Sequence, residues 1–167
     1  MQNLAPGMHK LIALPAQNDH AEIEDNATSV SFDYEPAHPL PTIADATFPG
    51  PPSIKITNLK PGQTISGAFD VQVQITNFNL NCDLEAKPDV AGYGHWHLNL
   101  DTAEGPMMGM GTMLRMGCLN GVPTTDIHTT TAGLKAGETH TVIALLVDNN
   151  HAPLHPLVAD KVDVKIG

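Results

Sequence analysis

Apolar and polar residues alternate one for one along Phe69-Asp70-Val71-Gln72-Val73-Gln74-Ile75-Thr76, and this period of two restricts the fold more than any other feature of the chain. It puts Phe69, Val71, Val73 and Ile75 on one face of a strand and leaves the opposite face polar. Ile54 and Ile56 alternate in the same way with Lys55 and Thr57, as do Val162, Val164 and Ile166 with Lys161, Asp163 and Lys165. Residues 139–148 are apolar at both parities, which predicts a strand covered on both faces at the centre of a sheet. Lys60-Pro61-Gly62-Gln63 reads as a turn, and no stretch carries the 3.6-residue period of an amphipathic helix. Short strands between Gly/Pro turns predict an all-β fold: an immunoglobulin-like antiparallel β-sandwich over residues 53–167. Residues 114–134 are the least legible part of it.

The first 52 residues differ in kind. Eight prolines between Pro6 and Pro52 forbid long helices and weaken strand ladders. Only Ser29 to Tyr34 alternates, with Val30, Phe32 and Tyr34 on one side. Residues 1–52 are therefore expected to be an extended Pro-rich arm ordered by docking. The partner is either its own domain or a neighbouring subunit, as in a homo-oligomer or a larger extracellular assembly.

Charge narrows the partners. Eight Lys+Arg against 18 Asp+Glu leave a net charge of −10, which repels phosphate and argues against nucleic acid and anionic membrane surfaces. The longest apolar run, Val142 to Val147, is strand-sized, so no membrane span is expected. Cys82 and Cys118 lack C-x-x-C spacing. They either close one disulfide in an oxidising compartment or are two unrelated core residues. Scarce Lys and abundant Thr, Asn and Pro suit a periplasmic or extracellular protein. The apolar patch Leu11 to Ala16, broken by Pro15, is too short for a signal-peptide core. Either a leader has been removed from this numbering, or export takes another route, or the protein is not exported.

The candidate chemistry lies in nine histidines and seven methionines. In Gly94-His95-Trp96-His97-Leu98-Asn99-Leu100-Asp101, strand alternation sends Trp96, Leu98 and Leu100 to the core. His95, His97, Asn99 and Asp101 are then expected to point outward together. Imidazoles at i and i+2 stand ~6–7 Å apart at the backbone, from which both reach one ion. The plainer alternative is that a solvated face needs polar residues and His is one of them. His128 shares a face with Asp126, His140 opens the central strand, and His151 and His155 follow its end. Three or four neutral imidazoles suit copper or zinc, with His151 or His128 expected as the third ligand and Asp101 as ligand or orienting group. Met107, Met108, Met110, Met113 and Met116 crowd into ten residues among glycines, without helical or strand period. They read as copper-selecting thioethers, as an adaptable contact surface, or as packing.

With these residues laid out, residues 53–166 resemble a family of small exported bacterial domains of uncharacterised function. The matching pieces are Lys60-Pro61-Gly62-Gln63-Thr64-Ile65, Gly92-Tyr93-Gly94-His95-Trp96-His97-Leu98-Asn99-Leu100-Asp101, Gly137-Glu138-Thr139-His140-Thr141 and Asp148-Asn149-Asn150-His151-Ala152-Pro153. The resemblance implies an exported immunoglobulin-like domain. It also implies His95, His97, Asp101, His128, His140 and His151 as recurring polar positions, and implies no reaction. The methionine cluster and the Pro-rich arm lie outside its pattern. A distant likeness to copper–zinc superoxide dismutase fails, because the G-N-A-G-x-R block is absent and Arg115 is the sole arginine. No G-x-S-x-G, H-E-x-x-H, phosphate loop or dinucleotide fingerprint occurs, so no catalytic residue is assigned. The resulting expectation is a metal-binding sandwich that buffers, stores or delivers copper, with zinc as the other candidate. The alternative is a structural subunit of an extracellular assembly.

Overall fold

The computed structural model describes residues 5–16, 27–35, 43–84, 89–103 and 113–167. Met107, Met108 and Met110 lie outside them. The chain divides into two compact units, residues 1–44 and 45–167. Among the described residues there is no helix, and hence none long and apolar enough to cross a membrane.

In the first unit, strands β1 (Gly7–Ala13) and β2 (Thr28–Tyr34) form an antiparallel pair with His9 opposite Phe32 and Leu11 opposite Val30. β2 coincides with the alternating Ser29–Tyr34 run. β1 reads in the sequence only as an apolar patch, since its strand character comes from pairing with β2. Residues 45–52 belong with the second unit, where Ala46 N–H donates to Ala91 O at 2.8 Å and Ala91 N–H donates to an Asp45 carboxylate oxygen at 3.0 Å.

The second unit is the expected sandwich. Its strands are β3 (Ser53–Ile56), β4 (Gln63–Ile65), β5 (Ala68–Thr76), β6 (Asn79–Leu80), β7 (Tyr93–Leu100), β8 (Met113–Met116), β9 (Cys118–Leu119), β10 (Val122–Pro123), β11 (Asp126–Thr130), β12 (Thr139–Val147) and β13 (Ala159–Ile166). One sheet runs β11-β5-β3, and the larger runs β4-β13-β12-β7 with both β6 and β8 on the far side of β7. The turn between β3 and β4 closes with Gln63 N–H on Lys60 O at 3.0 Å, and Gly62 takes the positive φ of 74° that it requires. Ile54, Ile56, Val71, Val73 and Ile127 from the small sheet meet Trp96, Leu98, Val142, Ala144, Leu146, Val162, Val164 and Ile166 from the large one. Trp96 is fully buried, its indole N–H donating to Thr124 O at 2.7 Å. A Cβ at Gly117 would overlap the Trp96 ring, so only glycine fits where that strand crosses the indole.

The strand read as central is central: β12 lies between β13 and β7 and is buried from Val142 to Val147. Its second apolar face carries Ile143, Leu145 and Val147, which form a separate cluster with Ala103. The expectation of an outward-facing, solvated row on β7 is overturned by its burial. His95, His97 and Asn99 lie opposite Val147, Leu145 and Ile143, and all three are wholly inaccessible to solvent. Their strand is paired on both edges, by β12 on one side and by β6 and β8 on the other, and this face is closed to solvent as well. Cys82 and Cys118 form a disulfide with Cα atoms 5.7 Å apart, bracketing β7 and β8 within a 36-residue loop.

Candidate metal centre

β7 brings His95 and His97 to one face by its pleat, and the turn after β12 brings His151 to meet them. Val147 ends β12 opposite His95. Asp148 then folds the chain back: one carboxylate oxygen accepts from Asn150 N–H at 2.8 Å and from Ala152 N–H at 2.9 Å, and Asp148 N–H donates to Ala152 O at 2.8 Å. His151 sits at the apex with φ of 66°, a left-handed conformation uncommon outside glycine, although histidine is among the residues that enter it more readily. Backbone held in a sparsely populated region needs surroundings that determine it, and it concentrates at functional positions.

The three rings converge on one point. His95 Nε2, His97 Nε2 and His151 Nδ1 form a triangle with every side 3.1 Å. An ion bonded at ~2.05 Å to each corner would stand ~1.0 Å above that plane and subtend N–ion–N angles of ~98°, between octahedral and tetrahedral values. Three nitrogens on one side of such an ion leave a fourth position in its tetrahedral coordination. His95 and His97 are fully buried while His151 is partly exposed, so the approach runs past His151.

Ordinary hydrogen bonding does not account for this arrangement. Each ring nitrogen is either an N–H donor or a lone-pair acceptor, so of three nitrogens in mutual contact at least one pair is donor–donor or acceptor–acceptor. Among the described residues, Nδ1 of His95 and Nδ1 of His97, the ring nitrogens turned away from the triangle, are buried with no hydrogen-bond partner, and an ion held by Nε2 leaves them so. Each such group costs ~1–3 kcal/mol when left unsatisfied.

Electrostatics prepare the same outcome. Burial lowers the imidazolium pKa of His95 to about 4, with repulsion from His151 adding to it. Burial lowers that of His97 to about 3, with repulsion from His95 and His151 adding to it. Both rings are neutral at pH 7, with lone pairs available for a metal and no proton to displace.

The remaining sequence candidates lie elsewhere. Asp101 sits past the end of β7 with φ of 66°, which turns it out of register with His95 and His97. It is exposed, and its carboxylate contacts His140 Nδ1 at 2.8 Å and accepts from Thr141 N–H at 2.9 Å. Desolvation opposes its ionisation, but those two contacts outweigh it and hold the carboxyl below its usual pKa. His140 belongs to that pair, at the end of β12 away from His151. His128 is exposed on the small sheet, 2.6 Å from Asp70. His155 is exposed beyond the Asp148 turn and stands apart from the triangle. Met113 lies on β8 opposite Asn99. Asp148 builds the His151 turn, a role that strand parity does not reveal. An Asp three residues before a His in a Pro-ended turn was the available signal.

No protein-family model matches the chain, and no curated protein matches it. Among solved structures, the chain aligns with one described as "Structures of Clostridium thermocellum CbhA fibronectin(III)-like modules", at 13% identity and a TM-score of 0.39. The alignment covers 99% of this chain and 65% of the other. The fold assignment stands on the sheet topology above, and the site on its own geometry.

Proposed function

We propose that this protein is an exported, metal-binding β-sandwich that buffers, stores or delivers a copper ion held by His95, His97 and His151. The observation that carries the reading is the triangle of neutral imidazole nitrogens 3.1 Å apart, two of them on fully buried rings. Copper is favoured over zinc because a nitrogen site of given geometry binds Cu(II) more tightly than Zn(II). Export is supported by the disulfide, which persists in oxidising compartments, and by the resemblance of residues 53–166 to exported domains. The net charge of −10 favours approach of a cation.

The test is titration of Cu(II) and Zn(II) into metal-free protein and into His95→Ala, His97→Ala and His151→Ala. One saturable ion per chain is expected in the parent, with affinity at least ~100-fold lower in each variant and unchanged in His128→Ala and His155→Ala. Equal affinity in all of them, or no saturable binding in the parent, would remove the metal reading.

A second reading is supported by the first unit. Leu11 and Val30 are exposed side by side on one face of its strand pair and Met8 and Ile12 on the other, apolar positions of the kind that pair with a neighbour in a homo-oligomer or extracellular assembly. Leu11→Asp with Val30→Asp should then lower the mass measured in solution. A parent protein that is already monomeric at high concentration would refute this reading.

A further inference from the structure

Of the methionine cluster, Met113 and Met116 lie among the described residues, and the sheet pairs Met116 with the strand that carries His95 and His97. Met116 is the cross-strand partner of His97 in the β7–β8 pair. Gly117 N–H donates to Trp96 O at 2.7 Å, which makes His97 and Met116 a non-hydrogen-bonded pair. In such pairs the Cα atoms are ~4.5 Å apart and the two side chains rise next to each other on the same face. The neighbouring positions agree with this parity, since Gly117 abuts Trp96 on the opposite, core face. Met116 is partly buried, and its unbranched thioether side chain adapts to a nearby ion more readily than any branched residue. Met113, opposite Asn99, shares the face but stands one pair further away, beyond an irregularity in the ladder at Leu98 and Asn99.

The triangle of nitrogens leaves the fourth position of a tetrahedral ion open. A soft sulfur donor there discriminates strongly between ions, because thioethers select Cu(I) over harder cations. We infer that Met116 supplies this fourth donor, so that the centre holds Cu(I) in preference to Zn(II). The inference rests on the three-histidine reading and adds to it the oxidation state of the cargo.

The experiment compares the full chain with Met116→Leu, Met113→Leu and His97→Ala. Cu(I) is supplied anaerobically against a competing Cu(I) chelator, and Zn(II) is measured in parallel. Leucine conserves most of the methionine volume, and Met113→Leu controls for any general effect of losing a thioether on β8. Met116→Leu should lose ~10- to 100-fold in Cu(I) affinity while its Zn(II) affinity changes by less than ~3-fold, the range expected for removing one supporting ligand. Met113→Leu should match the parent. X-ray absorption at the copper edge should show one sulfur neighbour in the parent and none in Met116→Leu. If Met116→Leu binds Cu(I) as tightly as the parent, or the parent shows no sulfur neighbour, while His97→Ala still abolishes binding, the thioether assignment is overturned and the three-histidine site stands. If the parent binds neither ion, both are overturned.

Discussion

Acid should destabilise the metal-free protein well before its carboxylates titrate, because two buried histidines cannot accept protons without unfolding. In the unfolded chain both have the ordinary pKa of ~6.5. In the folded protein burial lowers His95 to about 4 and His97 to about 3, with charge repulsion within the cluster contributing. Above pH ~6.5 both states are neutral at these sites and nothing is lost. As pH falls from there, the unfolded state binds two protons that the folded state refuses, so stability drops by up to ~1.4 kcal/mol per pH unit per histidine. The loss levels off only as pH passes the folded values. At pH 4.5, two units below the unfolded pKa, the pair accounts for about 5 kcal/mol, comparable to the whole stability of many domains. The assay is urea unfolding of chelator-treated protein from pH 7.5 to 4.5, followed by the Trp96 fluorescence. His95→Gln/His97→Gln supplies the reference that lacks both titrations. The parent should lose about 5 kcal/mol across this range and the double variant a small fraction of that. Equal losses in both, or a flat profile in the parent, would refute the claim that these rings are held neutral by burial.

The other expectations are independent of that titration. Saturating copper should raise the unfolding midpoint at pH 7 and steepen its fall with acid, since the ion binds only the deprotonated folded site; a midpoint that ignores copper would contradict this. Asp148→Ala removes the acceptor that fixes the His151 turn and should weaken metal binding ~10- to 100-fold while leaving β12 intact by hydrogen exchange. Cys82→Ser with Cys118→Ser should cost ~3–4 kcal/mol in chemical denaturation, from the chain entropy of the 36-residue loop. Trp96→Ala should cost ~3–5 kcal/mol, by loss of the largest side chain of the core and of its bond to Thr124.

What the sequence by itself determined was the local periodicity and its consequences. The alternation in residues 69–76 and 161–166 names the faces that are buried in β5 and β13, and the doubly apolar run at 139–148 is β12 at the sheet centre. These features are legible because side-chain parity in a strand is a property of neighbouring residues. The same parity places His95 and His97 on one face. It says nothing of whether that face is wet, because burial depends on what tertiary packing lays over the face, and parity carries no record of that. Nor does it choose among His128, His140, His151 and His155. That choice is made by the antiparallel register of β12 on β7, which puts Val147 against His95, and by the Asp148 turn that folds His151 back over it. The β1 strand and the pairing of Met116 with His97 are likewise decided by partners remote in sequence. Short, irregular segments such as β8 to β10 carry too few residues to show a period, so their place follows from the strands and the disulfide that bound them.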